Sequence, residues 1–78
     1  MSAPALPTNW RVENLGLIAA VRFTARDGRE LLWCDGAWRV GSAGRLRPAP
    51  GLPPAATMRQ ARQVGIAFIV KSESEGEA

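Results

Sequence analysis

The sequence contains no histidine and no tyrosine, a single cysteine (Cys34) and a single lysine (Lys71). Without histidine the chain lacks the commonest general base and the commonest metal ligand. One cysteine rules out an intramolecular disulfide and a thiolate metal cluster, and Cys34 has no imidazole to activate it. Asp27 and Asp35 each precede a glycine, where aspartate is accounted for by turn hydrogen bonding. Gly41-Ser-Ala-Gly44 lacks the lysine and the following helix of a phosphate loop. The expectation is a protein without catalytic machinery, cofactor or metal. No apolar run reaches the ~18–20 residues of a membrane-spanning helix. The first residues lack the basic and apolar segments of a secretory signal, so the expected location is cytoplasmic.

Alanine, glycine, arginine and proline make up almost half of the 78 residues, and nine of the ten basic residues are arginine. Those amino acids have GC-rich codons, which points to a GC-rich bacterial or phage genome and weakens any inference from arginine over lysine. The net charge is +3, but it is unevenly placed. From Ser72 onward there are three glutamates (Glu73, Glu75 and Glu77) and no base. The rest carries ten basic against four acidic side chains, a net +6. A basic body with an acidic tail suits an anionic partner for which the tail competes, or a surface made soluble at both signs.

Read along the chain, residues 1–8 form a flexible N-terminus with two prolines and no periodicity. Residues 9–71 read as a single α+β domain, near the size at which one core gives marginal stability. Trp10–Asn14 alternates, and Leu15–Phe23 is almost continuously apolar. Leu15, Leu17, Ala19, Val21 and Phe23 would lie on one face of a strand, and Ile18, Ala20, Arg22 and Thr24 on the other. Asp27-Gly28 and Asp35-Gly36 are hairpin signals, so strands at 30–34 and 37–40 complete a three-stranded meander. Residues 41–56, with four prolines and three glycines, read as an extended loop. Thr57 and Gln60 match a capping box, opening a helix with Met58, Ala61 and Val64 on its inner face. Gly65 stands where a C-terminal cap belongs, followed by a fourth strand over 65–71. The competing reading continues the helix through Gly65 to Lys71, at a cost of about 1 kcal/mol. The order is βββαβ, one antiparallel sheet with a helix on one face. Residues 72–78 are expected as a disordered acidic tail.

If both Asp-Gly turns close two-residue hairpins, Thr24 pairs with Leu31, Arg22 with Trp33, and Trp33 with Trp38. Arg22, Trp33 and Trp38 then share one face, while Val21, Phe23, Leu32 and Cys34 share the other. Cys34 itself is expected as a small buried hydrophobe. The tryptophan face is a core with Arg22 snorkelling over it, a protein-binding patch, or a platform on which bases stack. Trp38→Ala separates these readings, since a core tryptophan takes the fold with it and a contact does not. A second candidate set is basic: Arg26 and Arg29 at a hairpin tip, Arg45 and Arg47 in the loop, Arg59 and Arg62 as a ridge on the helix. Each could meet phosphate; the bland alternative is a solvated surface.

In outline, as a lone, GC-rich, non-enzymatic domain of under 80 residues with a charged surface, the chain resembles small phage accessory proteins of the anti-CRISPR inhibitor type. That is a resemblance of size and economy, not of motif. It implies an inhibitor or adaptor docking on a protein complex that handles nucleic acid; it assigns no residue, and the arginines and tryptophans above are the contacts to test first. The other reading is direct, weakly selective binding of DNA or RNA.

Overall fold

The computed structural model describes residues 5–16 and 19–76. It is an α+β fold in which five antiparallel strands form a simple meander and one C-terminal helix packs on one face. The strands are β1 (Trp10–Leu15), β2 (Ala20–Ala25), β3 (Arg29–Cys34), β4 (Ala37–Ser42) and β5 (Arg45–Pro48), followed by α1 (Met58–Gly76). Spatial order equals chain order, so every connection is a hairpin.

The expected meander is present, but with two more strands. The apolar run Leu15–Phe23 is not one strand. It breaks after Leu15, and β1 folds back on β2 with Leu15 opposite Ala20. The face assignments of Leu17 and Ile18 lie outside the described residues. The segment 41–56 is not one extended loop either. Its start completes β4, Ala43 and Gly44 take positive φ values of 54° and 79° in a two-residue turn, and Arg45–Pro48 returns as β5. Proline closes that strand on the sheet's edge, the position in a sheet that tolerates a missing N–H. Of the remaining stretch, Leu52 and Ala55 are buried, and the Pro53 carbonyl accepts a hydrogen bond from Trp38 Nε1 at 3.0 Å.

The two Asp-Gly turns behave differently. Asp35 and Gly36 both have positive φ and close a two-residue hairpin, giving Cys34 opposite Ala37, Trp33 opposite Trp38 and Leu31 opposite Val40, as expected. At the first turn only Gly28 is left-handed, at φ 96°. The loop is Arg26-Asp27-Gly28, three residues with glycine at the αL position. Asp27 Oδ1 accepts the Arg29 amide at 3.1 Å, which favours the longer turn. The register therefore shifts by one: Thr24 faces Glu30, Phe23 faces Leu31, Arg22 faces Leu32 and Val21 faces Trp33. A one-residue slip exchanges the faces. Val21, Phe23, Leu31, Trp33 and Trp38 form the core face, while Arg22, Leu32 and Cys34 point to the other side.

Helix α1 begins as the sequence indicates. Thr57 Oγ1 accepts the Gln60 amide at 3.1 Å, and Gln60 Oε1 accepts the Ala56 amide at 2.9 Å. It does not end at Gly65. The fourth strand expected over 65–71 is helix instead, and the helix continues to Gly76 through the residues expected as a tail. Ala61, Gly65 and Ile69 form its innermost line, with Met58, Val64, Ile66 and Phe68 partly buried beside it. Gly65 is a point of contact, since a Cβ there would overlap the Phe23 ring. The propensity cost of glycine is offset because the helix comes down onto β2, where Phe23 is fully buried.

Two outcomes follow. Gly65→Ala should destabilise the protein by roughly 1–3 kcal/mol in denaturant unfolding, because overpacking outweighs the helix gain. Trp38→Ala should cost about 3–5 kcal/mol and leave little folded protein, as read by circular dichroism.

Candidate binding surface

Helix α1 and the segment 49–57 cover one side of the sheet, and among the described residues nothing covers the other. Trp33 and Trp38 are on the covered side, 2% and 6% exposed. They are core residues, and neither the stacking platform nor the tryptophan contact patch exists. The Trp33 Nε1 proton finds no acceptor among the described residues, a cost that its packing must exceed. Cys34, expected in the core, lies half-buried on the open side between Ala20 and Ala37.

The open face is ordered by the register. Its central row runs Glu13, Arg22, Leu32, Arg39, Pro48 across all five strands. The next row runs Arg11, Thr24, Glu30, Gly41, Leu46. Arg22 donates to Glu13 Oε1 at 2.7 Å, and this bond raises the guanidinium pKa above its ordinary value. Arg39 is exposed in that row, between Leu32 and Pro48, with no carboxylate within ion-pair distance among the described residues. The sequence carried a signal for it: between Trp38 and Val40, strand alternation sends Arg39 outward.

The arginines picked out in the sequence do not form one patch. Arg26 is exposed at the tip of the β2–β3 hairpin. That tip is joined to the β4–β5 turn by the Ala43 amide donating to the Gly28 carbonyl at 3.1 Å, which brings Arg45 near it. Arg45 and Arg47 are exposed on edge strand β5 but, opposite Ser42 and Val40, they fall on the helix side of the sheet, whereas Arg39 is on the open side. Arg59 and Arg62 lie in the first two turns of α1. There, with Asn14 of β1, they line a cavity of about 350 Å³ on the covered side.

Arg29 has a different task. Its guanidinium lies 5.3 Å from the centroid of the Trp10 ring and binds Asp27 Oδ2 at 2.8 Å and Glu73 Oε1 at 2.8 Å. Glu73 also accepts Trp10 Nε1 at 3.1 Å. The glutamate expected in a tail thus ties the last turns of the helix to β1 and β3. Composition alone gave no sign of this, because the partners lie about 40 and 60 residues away. Arg29 is thus engaged by Trp10, Asp27 and Glu73, with its side chain still exposed.

Between Gly51–Pro53 and the helix lies an open groove of about 680 Å³, with Leu52, Val64, Ala67 and Phe68 as apolar walls and Lys71 at its rim. Among the described residues no three histidine, cysteine or carboxylate side chains gather as a metal site, and no helix is long and apolar enough to cross a membrane. No protein-family model, no curated protein and no solved structure matches the chain.

The Arg29 hydrogen bonds hold the Asp27 carboxyl below its ordinary pKa. A carboxyl depressed in the folded state stabilises above its unfolded pKa, and that contribution is lost as pH falls through the folded value. The Asp27 midpoint, followed by carboxyl NMR, should therefore rise toward the ordinary value in Arg29→Gln. Glu73→Ala should fray the last two helical turns, lowering helical ellipticity and costing about 1–2 kcal/mol, while Glu73→Gln keeps the Trp10 bond and loses less.

Proposed function

We propose that the protein is a non-catalytic binding module, an inhibitor or adaptor that docks by its open sheet face on a protein assembly that handles nucleic acid. The observation that supports this reading is the make-up of that face. Arginines 11, 22 and 39 alternate with Glu13 and Glu30, and Leu32, Leu46, Cys34 and Pro48 fill the spaces between them. Interleaved signs around apolar side chains suit a protein surface, where each charge meets its opposite. A phosphate backbone would be repelled by the two glutamates.

Five strands about 4.8 Å apart and some six residues long offer roughly 400–500 Å². That is about half of what one partner contributes to a standard interface, ~800 Å². The basic rim of Arg26 and Arg39 extends the contact and supplies the positive field, with Arg45 and Arg47 on the helix side of edge strand β5. Phosphate held by the assembly, or an acidic surface that mimics it, is the complement of that rim. The resemblance to anti-CRISPR inhibitors is consistent with this reading and assigns no residue to it.

Direct binding of DNA or RNA is the second reading, favoured by exposed arginines that have no carboxylate partner among the described residues. With Trp33 and Trp38 buried, it would rest mainly on phosphate contacts, and its affinity would fall steeply with salt.

Two measurements decide between them: retention of cellular proteins on the immobilised chain after nuclease treatment, and anisotropy of a labelled oligonucleotide. The expected result is nuclease-resistant retention that drops about tenfold or more in Leu32→Glu with Arg39→Glu, at unchanged circular dichroism. Retention abolished by nuclease, with salt-sensitive oligonucleotide binding, would establish the second reading instead.

A further inference from the structure

The sheet has two edges, and they differ. In antiparallel pairs, residues alternate between those bonded to the neighbouring strand and those whose N–H and C=O point away. The Ala49 amide bonds to the Trp38 carbonyl at 2.9 Å, so on β5 residues 45 and 47 bond inward while Leu46 and Pro48 face out. That edge offers one N–H, because proline has none, and it is guarded. On the opposite edge, the Arg26 amide bonds to the Asn9 carbonyl at 2.9 Å. Residues 11, 13 and 15 therefore bond to β2, and Trp10, Val12 and Asn14 face out. The Trp10 amide is taken by the Pro7 carbonyl at 3.0 Å. Among the described residues the amides of Val12 and Asn14 have no partner, and the strand holds neither proline nor lysine.

We infer that the occupant of this edge is a second copy of the same strand, paired antiparallel about a twofold axis through Val12. A ladder forms only if outward-facing residues meet one another, which limits the register to a few choices. Centring on residue 11 sets Arg11 against Arg11, and centring on residue 13 sets Glu13 against Glu13. Centring on Val12 sets Arg11 against the partner's Glu13 and Glu13 against the partner's Arg11, both on the open face. On the helix face it sets Val12 against Val12 and Trp10 against Asn14. Opposite charges directly across a pair stabilise it and like charges oppose it.

The helices add a second complementarity. Glu73 sits at Trp10, while Met58, Arg59 and Arg62 sit at Asn14, so α1 runs antiparallel to β1. The twofold axis then brings the basic start of one helix level with Glu73 of the other. Both helices lie over their own β2, three strand spacings or about 14 Å apart. The product is an isologous dimer with one continuous ten-stranded sheet. Its open face is twice as large, which brings it to the size of a standard interface. The dimer does not rest on the proposed function, since its test reads mass and not partner binding.

The test uses the full chain, with light scattering and sedimentation over a concentration series. The wild type should reach twice its 8.4 kDa mass. Arg11→Glu and Glu13→Arg should each raise the dimer dissociation constant about tenfold or more, since each sets like charges against one another twice. Mixed together, the two variants should associate, because each then meets its opposite; a variant that had merely misfolded would not. Amide exchange at Val12 and Asn14 should slow as the dimer forms. A wild type that stays monomeric at the highest attainable concentration would overturn the proposal. So would a dimer indifferent to Arg11→Glu, or a variant mixture that does not associate.

Discussion

Phe23 stands upright on the second strand of the sheet, and the helix can cross it only where it has no side chain. Gly65 is that place. The ring fills the gap left by the missing Cβ, and Ala61 and Ile69 join Val21 and Leu31 in the same buried core. In a domain this small, a helix lifted off by one methyl group would expose a large share of the core. The remaining features serve to hold the helix at this height. Thr57 and Gln60 fix where it starts, and the Glu73 clamp to Arg29 and Trp10 fixes where it ends. The buried ends of the proline-rich segment, Leu52 and Ala55, wedge its flank.

A single helix covers a single face. In a larger domain the second face of a five-stranded sheet would meet another layer, whereas here it faces solvent with interleaved charges and scattered leucines. Charged side chains and leucines alternate on it, the make-up on which the proposed docking role rests. The two edges follow the same division of labour. β5 is short, arginine-bearing and closed by proline, while β1 is longer and keeps its outward amides.

Some of this was legible in the residues. The Asp35-Gly36 hairpin, the pairing of Trp33 with Trp38, the capping box and the one-faced α+β layout follow from local chemistry, where a handful of neighbours settles the conformation. The first hairpin was misread because Asp-Gly serves two turns, and the aspartate's bond to the Arg29 amide selects the longer one. That single residue of slip takes Arg22 out of the tryptophan face and brings Val21 and Phe23 into it. The third hairpin was hidden because four prolines dominate its surroundings, yet only Pro48 falls in a strand, and on an edge. For the proposed surface, the outward direction of Arg39 is readable from strand alternation, whereas the tie of Arg29 to Glu73 is not, because the two lie far apart in the chain.

Gly65 marks the boundary between the two kinds of information. A glycine after a short apolar helix is, by local rules, a stop, and the sequence by itself determined the Asp35-Gly36 turn, the helix cap and the charge, because each depends on near neighbours or on composition. Whether that glycine ends the helix or seats it depends on a phenylalanine 42 residues earlier. The same holds for Glu73 and Arg29, for the faces of the sheet, and for which edge stays open. Those were decided only by the tertiary structure, because long-range contacts set the energies that overrule local preference.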